Sequence, residues 1–315
     1  MTEQRTQIPD ELAGQRLDQA LAQMFPEYSR SRLKAWLLGG SVLIDGEMWR
    51  PRDRVSGGET VVVQPVAEVA VHAGPEAIPL DVVFEDDSLL VVNKPAGLVV
   101  HPGAGNVTGT LMNGLLHHEP ALEQLPRAGI IHRIDKDTSG LLLVAKSLPA
   151  HTALVRNLAD RDIARQYLAI CNGVLTGGGT IDAAIARHPV DRTRMAVTPG
   201  GRPALTHYTV AERFRGHALL AVRLETGRTH QIRVHLAHVR HPLVGDPVYG
   251  GRARLPPDAS PELIAVLRGF RRQALHAARL ALVHPRSGAS LAWEAPLPDN
   301  LTALLAALRT DALRE

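Results

Sequence analysis

The sequence predicts an α+β protein of two domains, in which a small N-terminal unit precedes a larger domain with a mixed, largely antiparallel sheet flanked by helices and loops. The chain has 315 residues, and two domains are expected because single hydrophobic cores stop growing at roughly 250–300 residues. Short β-branched runs alternate with helix-like segments without the regular rhythm of a parallel sheet. A stretch interrupted by Pro and Gly at residues 67–83 is predicted to be a linker.

The N-terminal unit, residues 12 to 65, is predicted to contain two helices and a short hairpin. The segment QRLDQALAQMF has apolar residues at helical spacing, and SRSRLKAWLLGG repeats the pattern. Ser29 is a candidate N-cap of the second helix, which should end at Gly39-Gly40. Asp45-Gly46 is typical of a hairpin turn, and ETVVVQP is typical of a strand.

The larger domain is predicted from its apolar runs. Strands are expected in DVVFEDDSLLVVNKP, GLLLVAK, RQYLAICNGV, THYTVAERF and ALLAVRLETG. Helices are expected in TLMNGLLHH, PAHTALVRNLADR, HQIRVHLAHV and LIAVLRGFRRQALHAARLAL. Strands joined by hairpins and interleaved irregularly with helices indicate the α+β class.

Composition restricts the class of protein. An apolar content of 45% is typical of a globular protein, and Cys171 is the single cysteine, which excludes an internal disulfide. The first residues, MTEQRTQIPDELAGQ, have no apolar core of a signal peptide, and no uncharged apolar run reaches the about 18 residues of a membrane span. We therefore expect a soluble, cytoplasmic protein.

Arginine clusters favour a polyanionic partner although the formal net charge is only +3. The planar guanidinium binds phosphate in two-pronged geometry and stacks on bases. The second predicted helix has Arg30, Arg32 and Lys34 near its start, where positive charge opposes the helix dipole. This placement indicates either a nucleic-acid contact or an ordinary solvated face.

The segment GIIHRIDKDTSGLLLVAK places an unusual density of charge beside an apolar strand. Residues 137–140 are typical of a turn, in which the Asp137 side chain is expected to bond backbone N–H groups. Asp135 lies between Arg133 and Lys136 at the edge of the apolar run. Nearby cations favour its ionised form, so it is either a structural ion-pair partner or a reactive carboxylate.

Other candidates lie far from Asp135 in the sequence. Tyr167 falls in a predicted strand two residues after Arg165, and Arg228 and Arg233 surround the Gly turn in LETGRTHQIRVHLAH. Tyr167 alone could be a core tyrosine with a satisfied hydroxyl. The arginines alone could be a phosphate clamp or surface ion-pair partners.

The histidines 230, 235, 238 and 241 suggest a metal site, but their pattern argues against one. Only His235 and His238 share a helical face, and no Cys, Asp or Glu lies among them at ligand spacing. The sequence has no GxxxxGK[ST], GxGxxG or GxSxG element, so nucleotide hydrolysis, dinucleotide binding and serine hydrolase chemistry lack their motifs. We expect neither a metal nor a nucleotide cofactor.

Several segments together resemble a known family. HRIDKDTSGLLLVAK closely resembles the catalytic motif of the pseudouridine synthases, in the branch that acts on ribosomal RNA. The segments NKPAGLVVHPGAG, RQYLAICNG, GRPALTHY, ETGRTHQIRVHLAHVRHPLVGDPVYGG and RRQALHAARLALVHP match that branch in the same order. The likeness runs from about Asp81 to Pro285, and the N-terminal unit resembles an S4 RNA-binding domain. It implies an S4-like domain at 12–75 and a catalytic domain at 76–310.

The resemblance also assigns roles to residues. It implies that Asp135 is the catalytic aspartate, that Arg233 pairs with it, and that Tyr167 packs against the target base and is a candidate for proton removal. It implies that Arg133 enters the space left by a flipped uridine. Arg165 stands where the family pattern has lysine; since both are cations on a strand expected to be exposed, this departure concerns a phosphate contact rather than the chemistry.

The implied activity is isomerisation of uridines in large-subunit ribosomal RNA, either free or in a pre-ribosomal particle, by a monomer without cofactor or membrane contact. Expected RNA contacts are Arg30, Arg32, Lys34, Arg133, Arg165, Arg228 and the basic loop with Arg187, Arg192 and Arg194. Three alternatives stay open: a non-catalytic RNA-binding or ribosome-assembly factor, an enzyme of the same fold acting on transfer RNA or another ribosomal helix, and a metal-dependent hydrolase.

Overall fold

The computed structural model describes residues 4–26, 28, 30–65, 74–103 and 106–314, with the side chains of residues 30–32 excepted. These residues form two compact units, one on each side of residues 66–73. The proposed cap at Ser29 and most of the predicted linker's first half lie outside the described residues. The boundaries 12–75 and 76–310 stay predictions.

The first unit is a three-stranded antiparallel sheet packed with two helices. Its elements are β1 (Gln4–Gln7), α1 (Leu17–Met24), α2 (Arg30–Leu38), β2 (Val42–Ile44) and β3 (Thr60–Val63). The strand order is β1-β3-β2. Both helices and the Asp45-Gly46 turn were predicted, and the turn residues have φ of 51° and 83°. Strand β1 was missed because its sequence, QRTQ, has no apolar residue to indicate a buried face.

The second unit contains a nine-stranded sheet and a separate two-stranded hairpin. Its strands are β4 (Val82–Glu85), β5 (Leu89–Lys94), β6 (Ser139–Ala145), β7 (Ala164–Asn172), β8 (Gly179–Asp182), β9 (Ile185–Arg187), β10 (Met195–Val197), β11 (Leu205–Arg213), β12 (His217–Leu224), β13 (Leu275–Val283) and β14 (Ser290–Glu294). Its helices are α3 (Leu111–His118), α4 (Leu148–Ala159), α5 (Gln231–His238), α6 (Pro261–Gly269) and α7 (Asp299–Ala312).

The sheet order is β4-β5-β6-β13-β7-β12-β11-β8, with β14 paired to β13, while β9 and β10 form the hairpin. Every pair in the large sheet is antiparallel except β6 with β13, which is parallel. The predicted mixed, largely antiparallel α+β class is confirmed.

One predicted helix is wrong in its second half. The segment LIAVLRGFRRQALHAARLAL was expected to be helical throughout, but α6 ends at Gly269 and Leu275 begins a central strand. Alanine and arginine favour helix by intrinsic propensity. Here strands β6 and β7 pair with both edges of β13, and Leu280 and Leu282 bury one face at a spacing of two residues. Tertiary pairing therefore overrides local propensity.

Helices pack on both faces of the sheet. One face packs against α3 and α5, and the other packs against α4, α6 and α7. At Gly140 in β6, φ is +114° and an added Cβ would lie 2.3 Å from the Ala277 carbonyl oxygen. Only glycine allows this approach of β6 to β13. None of the described helices combines the length and hydrophobicity that crossing a membrane requires.

Candidate active site

Six residues selected from the sequence surround one pocket, which we call the central pocket. It is formed by the loop before β6, by the start of β7 and by the segment that leads from β12 into α5. The six residues are Arg133, Asp135, Arg165, Tyr167, Arg228 and Arg233. Sheet pairing brings β6 and β7 to either side of β13, so residues distant in sequence meet there.

Two carboxylates share the guanidinium of Arg233, one lining the pocket and the other buried behind it. Arg233 donates to Asp246 from Nε and Nη2, over 2.7 and 2.9 Å, and to Asp135 from Nη1 over 3.0 Å. Asp246 also accepts the backbone N–H groups of Val248 and Tyr249. The Asp246 side chain is fully buried, whereas that of Asp135 keeps 19% exposure. Asp135 is therefore the carboxylate that a ligand in the pocket can reach.

The pKa shifts of this group follow from its contacts. Burial opposes the charge of Arg233, but the hydrogen bonds and charges of Asp246 and Asp135 outweigh burial and raise the pKa of Arg233. Burial also opposes ionisation of Asp246, yet Arg233 and two backbone N–H groups lower the pKa of Asp246 below its usual value. Arg233 thus stays charged and is held in place beside Asp135.

Tyr167 forms a wall of the central pocket. It is 5% exposed and belongs to the core cluster beneath the pocket. Burial raises the pKa of the Tyr167 hydroxyl, with Arg165 opposing and Asp135 adding to the rise, so the phenol stays protonated at neutral pH. Within the described residues its hydroxyl has no hydrogen-bond partner, unlike a core tyrosine with an internally satisfied hydroxyl.

The expectation that Arg165 lies on an exposed strand is wrong. Strand β7 lies between β13 and β12 in the sheet, and Arg165 is only 7% exposed. Its guanidinium lies against Gly227, where an added Cβ would be 3.2 Å from Arg165 Nη1. No hydrogen bond or ion pair of Arg165 is found in the described part of the chain. A buried cation without a partner is costly, so the site is suited to an anion.

A buried lysine holds the loop that presents Asp135. Lys94 is 1% exposed and donates from Nζ to the carbonyl oxygens of Pro95, Leu98 and Lys136, over 2.7, 2.8 and 2.9 Å. Burial lowers the pKa of Lys94 to about 7, while the charges of Asp137 and Asp135 oppose this shift. Three carbonyl acceptors match the three donors of an ammonium group, so they also favour the charged form.

The expectation that the Asp137 side chain caps backbone N–H groups is wrong. The turn closes instead by a bond from Thr138 N to the Asp135 carbonyl, 3.1 Å. Arg272 donates to the Asp137 carbonyl oxygen, and Gln273 donates to the Thr138 hydroxyl. No hydrogen bond of the Asp137 carboxylate is found among the described residues. The segment before β13 therefore supports the Asp135 loop.

Tyr249 connects the central pocket to the β9–β10 hairpin. Its hydroxyl accepts the backbone N–H of Met195 and bonds His230 Nδ1, each over 2.9 Å. The guanidinium groups of Arg233 and Arg194 lie 5.2 and 5.3 Å from its ring centroid. His230, at φ of 56°, takes a left-handed conformation at the start of α5. These contacts fix the segment that positions Arg233.

The clustered histidines have separate partners. His235 bonds Thr206 and the Ala183 carbonyl, and His241 bonds the Asn172 carbonyl. Among the described residues no group of three or more His, Cys, Asp or Glu is arranged to hold a metal ion. The expectation of a site without metal stays a prediction.

The remaining basic candidates do not line the central pocket. Arg187 and Arg194 belong to the β9–β10 hairpin and its loop, and Arg187 donates to the Arg192 carbonyl over 3.0 Å. Lys34 is exposed on α2. Arg30 and Arg32 also lie on α2, and their side chains lie outside the described part. Their RNA contacts stay predictions.

Sequence reasoning missed three residues that hold the site together: Asp246, Lys94 and Tyr249. Each lies in a segment that supported the family resemblance, GDPVYGG or NKPAG. Those segments were the available signal. The sequence did not show these contacts, because each residue has a partner in a segment well removed along the chain. These partners are Arg233 for Asp246, the Lys136 carbonyl for Lys94 and His230 for Tyr249.

Comparison with known proteins identifies similar families and structures. Residues 88–238 match the family described as RNA pseudouridylate synthase, and residues 15–61 match the S4 domain. The structure of Human RNA Pseudouridylate Synthase Domain Containing 1 aligns with a TM-score of 0.56 and 26% identity, covering 74% of this chain and 89% of that one. Human RNA Pseudouridylate Synthase Domain Containing 4 gives 0.57 and 26%, covering 72% and 92%. The chain belongs to the RNA pseudouridylate synthase family and is an isomerase with an S4 domain.

Full-length relatives share one name, Ribosomal large subunit pseudouridine synthase D. The protein of Xanthomonas campestris pv. campestris is 58% identical over 98% of this chain and 93% of its own length. The protein of Xylella fastidiosa is 55% identical over 98% and 93%. The protein of Salmonella typhi is 54% identical over 96% and 94%.

Proposed function

We propose that this enzyme isomerises specific uridines of large-subunit (23S) ribosomal RNA to pseudouridine, with Asp135 as the catalytic carboxylate and the target base flipped out of the RNA stack. The observation that carries the proposal is the Asp135 carboxylate 3.0 Å from Arg233, at the base of the pocket that Tyr167 lines. The RNA is proposed from the names of the relatives and from the S4 domain.

The reaction needs no oxidant and no imported group. The N1–C1′ glycosidic bond breaks, the uracil turns, a C5–C1′ bond forms, the C5 hydrogen leaves as a proton and N1 gains one. Asp135 acts by one of three routes: attack on C1′, attack on the base, or removal of a ribose proton. Each route requires an ionised carboxylate in a fixed position, and the hydrogen bond from Arg233 holds and orients the Asp135 side chain.

Tyr167 would pack against the flipped base, and Arg133 would occupy the space that it leaves. A protonated phenol offers an apolar face under the uracil and a polar edge near Asp135. Flipping a base costs a few kcal/mol, which pocket contacts must offset. Arg133 is exposed at the rim of the pocket, where its long planar side chain can fill the space that the base leaves.

Arginines and Lys34 would bind the RNA backbone. The proposed contacts are Arg165 and Arg228 at the central pocket, Arg187, Arg192 and Arg194 at the hairpin, and Arg30, Arg32 and Lys34 on α2. Such contacts position an RNA without reading its sequence. We propose that the enzyme acts in the cytoplasm as a monomer, on free RNA or a pre-ribosomal particle, as part of ribosome biogenesis.

The decisive variant is Asp135→Asn, which keeps the shape of the side chain and removes its charge. We expect pseudouridine formation to stop while RNA affinity stays within about twofold. Asp87→Asn is a matched control, because the Asp87 side chain is 95% exposed and lies outside the central pocket. Measurable turnover by Asp135→Asn would contradict the assignment of the carboxylate.

The substrate is tested by mapping pseudouridines in cells with and without the gene. Loss of sites in large-subunit ribosomal RNA supports the proposal. Loss of sites only in transfer RNA identifies the alternative substrate. A full set of pseudouridines in the deletion strain favours the non-catalytic assembly factor instead.

A further inference from the structure

A second cavity adjoins the central pocket, and we call it the flanking cavity. It measures about 530 Å³, within the usual range for ligand sites. Arg133, Arg165, Gly227 and Arg228 line both the flanking cavity and the central pocket. Its far wall is formed by the C-terminal half of α4. A molecule bound in the central pocket can therefore continue into the flanking cavity past Arg165.

Three residues that line this cavity each carry a nitrogen atom that is closed off from solvent and has no hydrogen-bond partner within the described residues: Arg165 Nε, His132 Nδ1 and His101 Nε2. Leaving such a group unpaired costs about 1–3 kcal/mol, and more if it is charged. Three such residues around one cavity therefore mark a region whose polar groups the fold itself does not satisfy.

The two histidines indicate what part of a ligand they meet. Burial lowers the pKa of His132 to about 3, with the charge of Arg165 adding to the shift. Burial, together with Arg127 and Arg133, lowers the pKa of His101 to about 4. Both rings are therefore neutral at pH 7. His132 Nε2 accepts the backbone N–H of Leu143 over 3.3 Å, so the proton of this neutral ring lies on Nδ1. Uncharged polar rings suit the edge of a nucleobase, which presents uncharged donors and acceptors, better than they suit a phosphate.

The remaining lining suits a nucleotide as well. Arg127 and Arg133 are exposed at the rim and are placed to meet phosphate groups. Val155 and Leu158 of α4 give an apolar wall, and Val155 is 43% exposed. The cavity thus combines cations, an apolar wall and neutral polar groups, as sites for unstacked bases do.

We propose that the flanking cavity binds the nucleotide adjacent to the target uridine, with its base also turned out of the stack, and that Arg165 binds the phosphate joining the two nucleotides. This inference rests on the proposed function, since it requires an RNA uridine in the central pocket. Arg165 lines both cavities, and the phosphate between two neighbouring nucleotides lies between their bases. The unpaired guanidinium therefore obtains its anion only when RNA binds.

The test combines a protein variant with an altered RNA. Val155→Trp fills the flanking cavity from its apolar wall without touching the central pocket. Val174→Trp is the matched control, since Val174 is 44% exposed and lines neither cavity. The substrate is a synthetic stem-loop RNA with a uridine found by the mapping above, made intact or with an abasic nucleotide on either side of it.

We expect the abasic nucleotide on one side to lower kcat/KM of the wild-type enzyme at least tenfold. With the intact RNA, kcat/KM of Val155→Trp should be at least tenfold below that of the wild type. With the abasic RNA it should fall by less than a further twofold, because the tryptophan has already removed the binding site of that base. Val174→Trp should behave as the wild type does. The proposal would be overturned if Val155→Trp and the wild type had equal turnover. It would also be overturned if the losses in kcat/KM caused by the tryptophan and by the abasic nucleotide multiplied, as independent effects do.

A second measurement does not depend on how the tryptophan variant folds. With 2-aminopurine beside the target uridine, fluorescence should rise when Asp135→Asn protein binds the RNA, because the analogue leaves the stack. Fluorescence unchanged on both sides of the uridine would refute the flanking site. Failure of the wild-type enzyme to isomerise the intact RNA would instead contradict the proposed function.

Discussion

Asp246→Asn is predicted to weaken both the fold and the activity, although Asp246 does not face the central pocket. The substitution keeps the size of the side chain and removes its negative charge. Arg233 then loses the charged bidentate partner that it contacts at 2.7 and 2.9 Å, and Asp135 remains as its carboxylate partner. The amide nitrogen that replaces one oxygen is a donor, so it faces another donor, either on the guanidinium or on the backbone of residues 248 and 249.

The magnitude follows from these contacts. A hydrogen bond to a charged group contributes about 1.5–3 kcal/mol, and removing one partner of a buried pair costs about 3–5 kcal/mol. Because Asp135 still compensates part of the charge of Arg233, we expect the lower end, about 3 kcal/mol. At about 2–4 °C per kcal/mol for a unit of this size, Tm should fall by about 6–12 °C.

The variant should lose activity even under conditions in which it is fully folded. Arg233 is held by Asp246 on one side and holds Asp135 on the other. A displacement of about 1 Å in such a group can cost about 100-fold in rate, so kcat should fall at least tenfold at a temperature where the variant is folded. RNA affinity should change little, because neither carboxylate is a phosphate contact.

Urea denaturation and release of tritium from C5-labelled uridine measure the two effects. Asp87→Asn should differ from the wild type by less than about 0.5 kcal/mol, as exposed substitutions do. Because the pKa of Asp246 is lowered from its ordinary value of 3.8, its stabilising effect is present above that value and is lost as the pH falls through the folded-state pKa. A variant within about 1 kcal/mol of the wild type at pH 7 with unchanged kcat would refute the reasoning.

Two further predictions concern the fold. Burial lowers the pKa of His217 to about 4 from 6.5, so the unfolded chain takes up a proton first as the pH falls, and the free energy of unfolding should drop by about 2 kcal/mol between pH 6.5 and 5. His217→Phe should remove that part of the pH dependence in urea titrations, and an unaltered dependence would contradict it. Gly140→Ala should destabilise by about 3 kcal/mol or more, because its Cβ would lie 2.3 Å from the Ala277 carbonyl oxygen at φ of +114°. Gly269→Ala, with no atom within 4 Å of the added Cβ, is its control, and equal unfolding midpoints for the two would refute the argument.

Local patterns predicted most elements of the fold. Helical spacing and alternation identified α1, α3 and strands β6, β7, β11 and β12, because each buries one face with its own period. The same reasoning failed at β13, whose alanines and arginines favour a helix until β6 and β7 pair with it. It also failed at β1, which has no apolar face in its four residues.

For the candidate site too, the sequence indicated some features and left others undecided. The motif around Asp135 marked a carboxylate among cations at the edge of a core, and the family likeness added Tyr167 and Arg233 to it. Sequence alone did not decide between an ion pair and a reactive group. In the structure Asp135 is both the partner of Arg233 and the more exposed of its two carboxylates.

By itself, the sequence determined the α+β class, the two units and the residues that could react, because periodicity, turn residues and motifs are local or depend only on order along the chain. The tertiary structure alone decided which charges are paired. Asp246 lies 13 residues from Arg233, and Asp135 lies 98 residues away, yet both meet one guanidinium. Arg165 is also buried, yet within the described part of the chain it has no carboxylate partner. Pairing and desolvation depend on distances that only the folded sheet sets. They determine which buried cation is left to bind an anion.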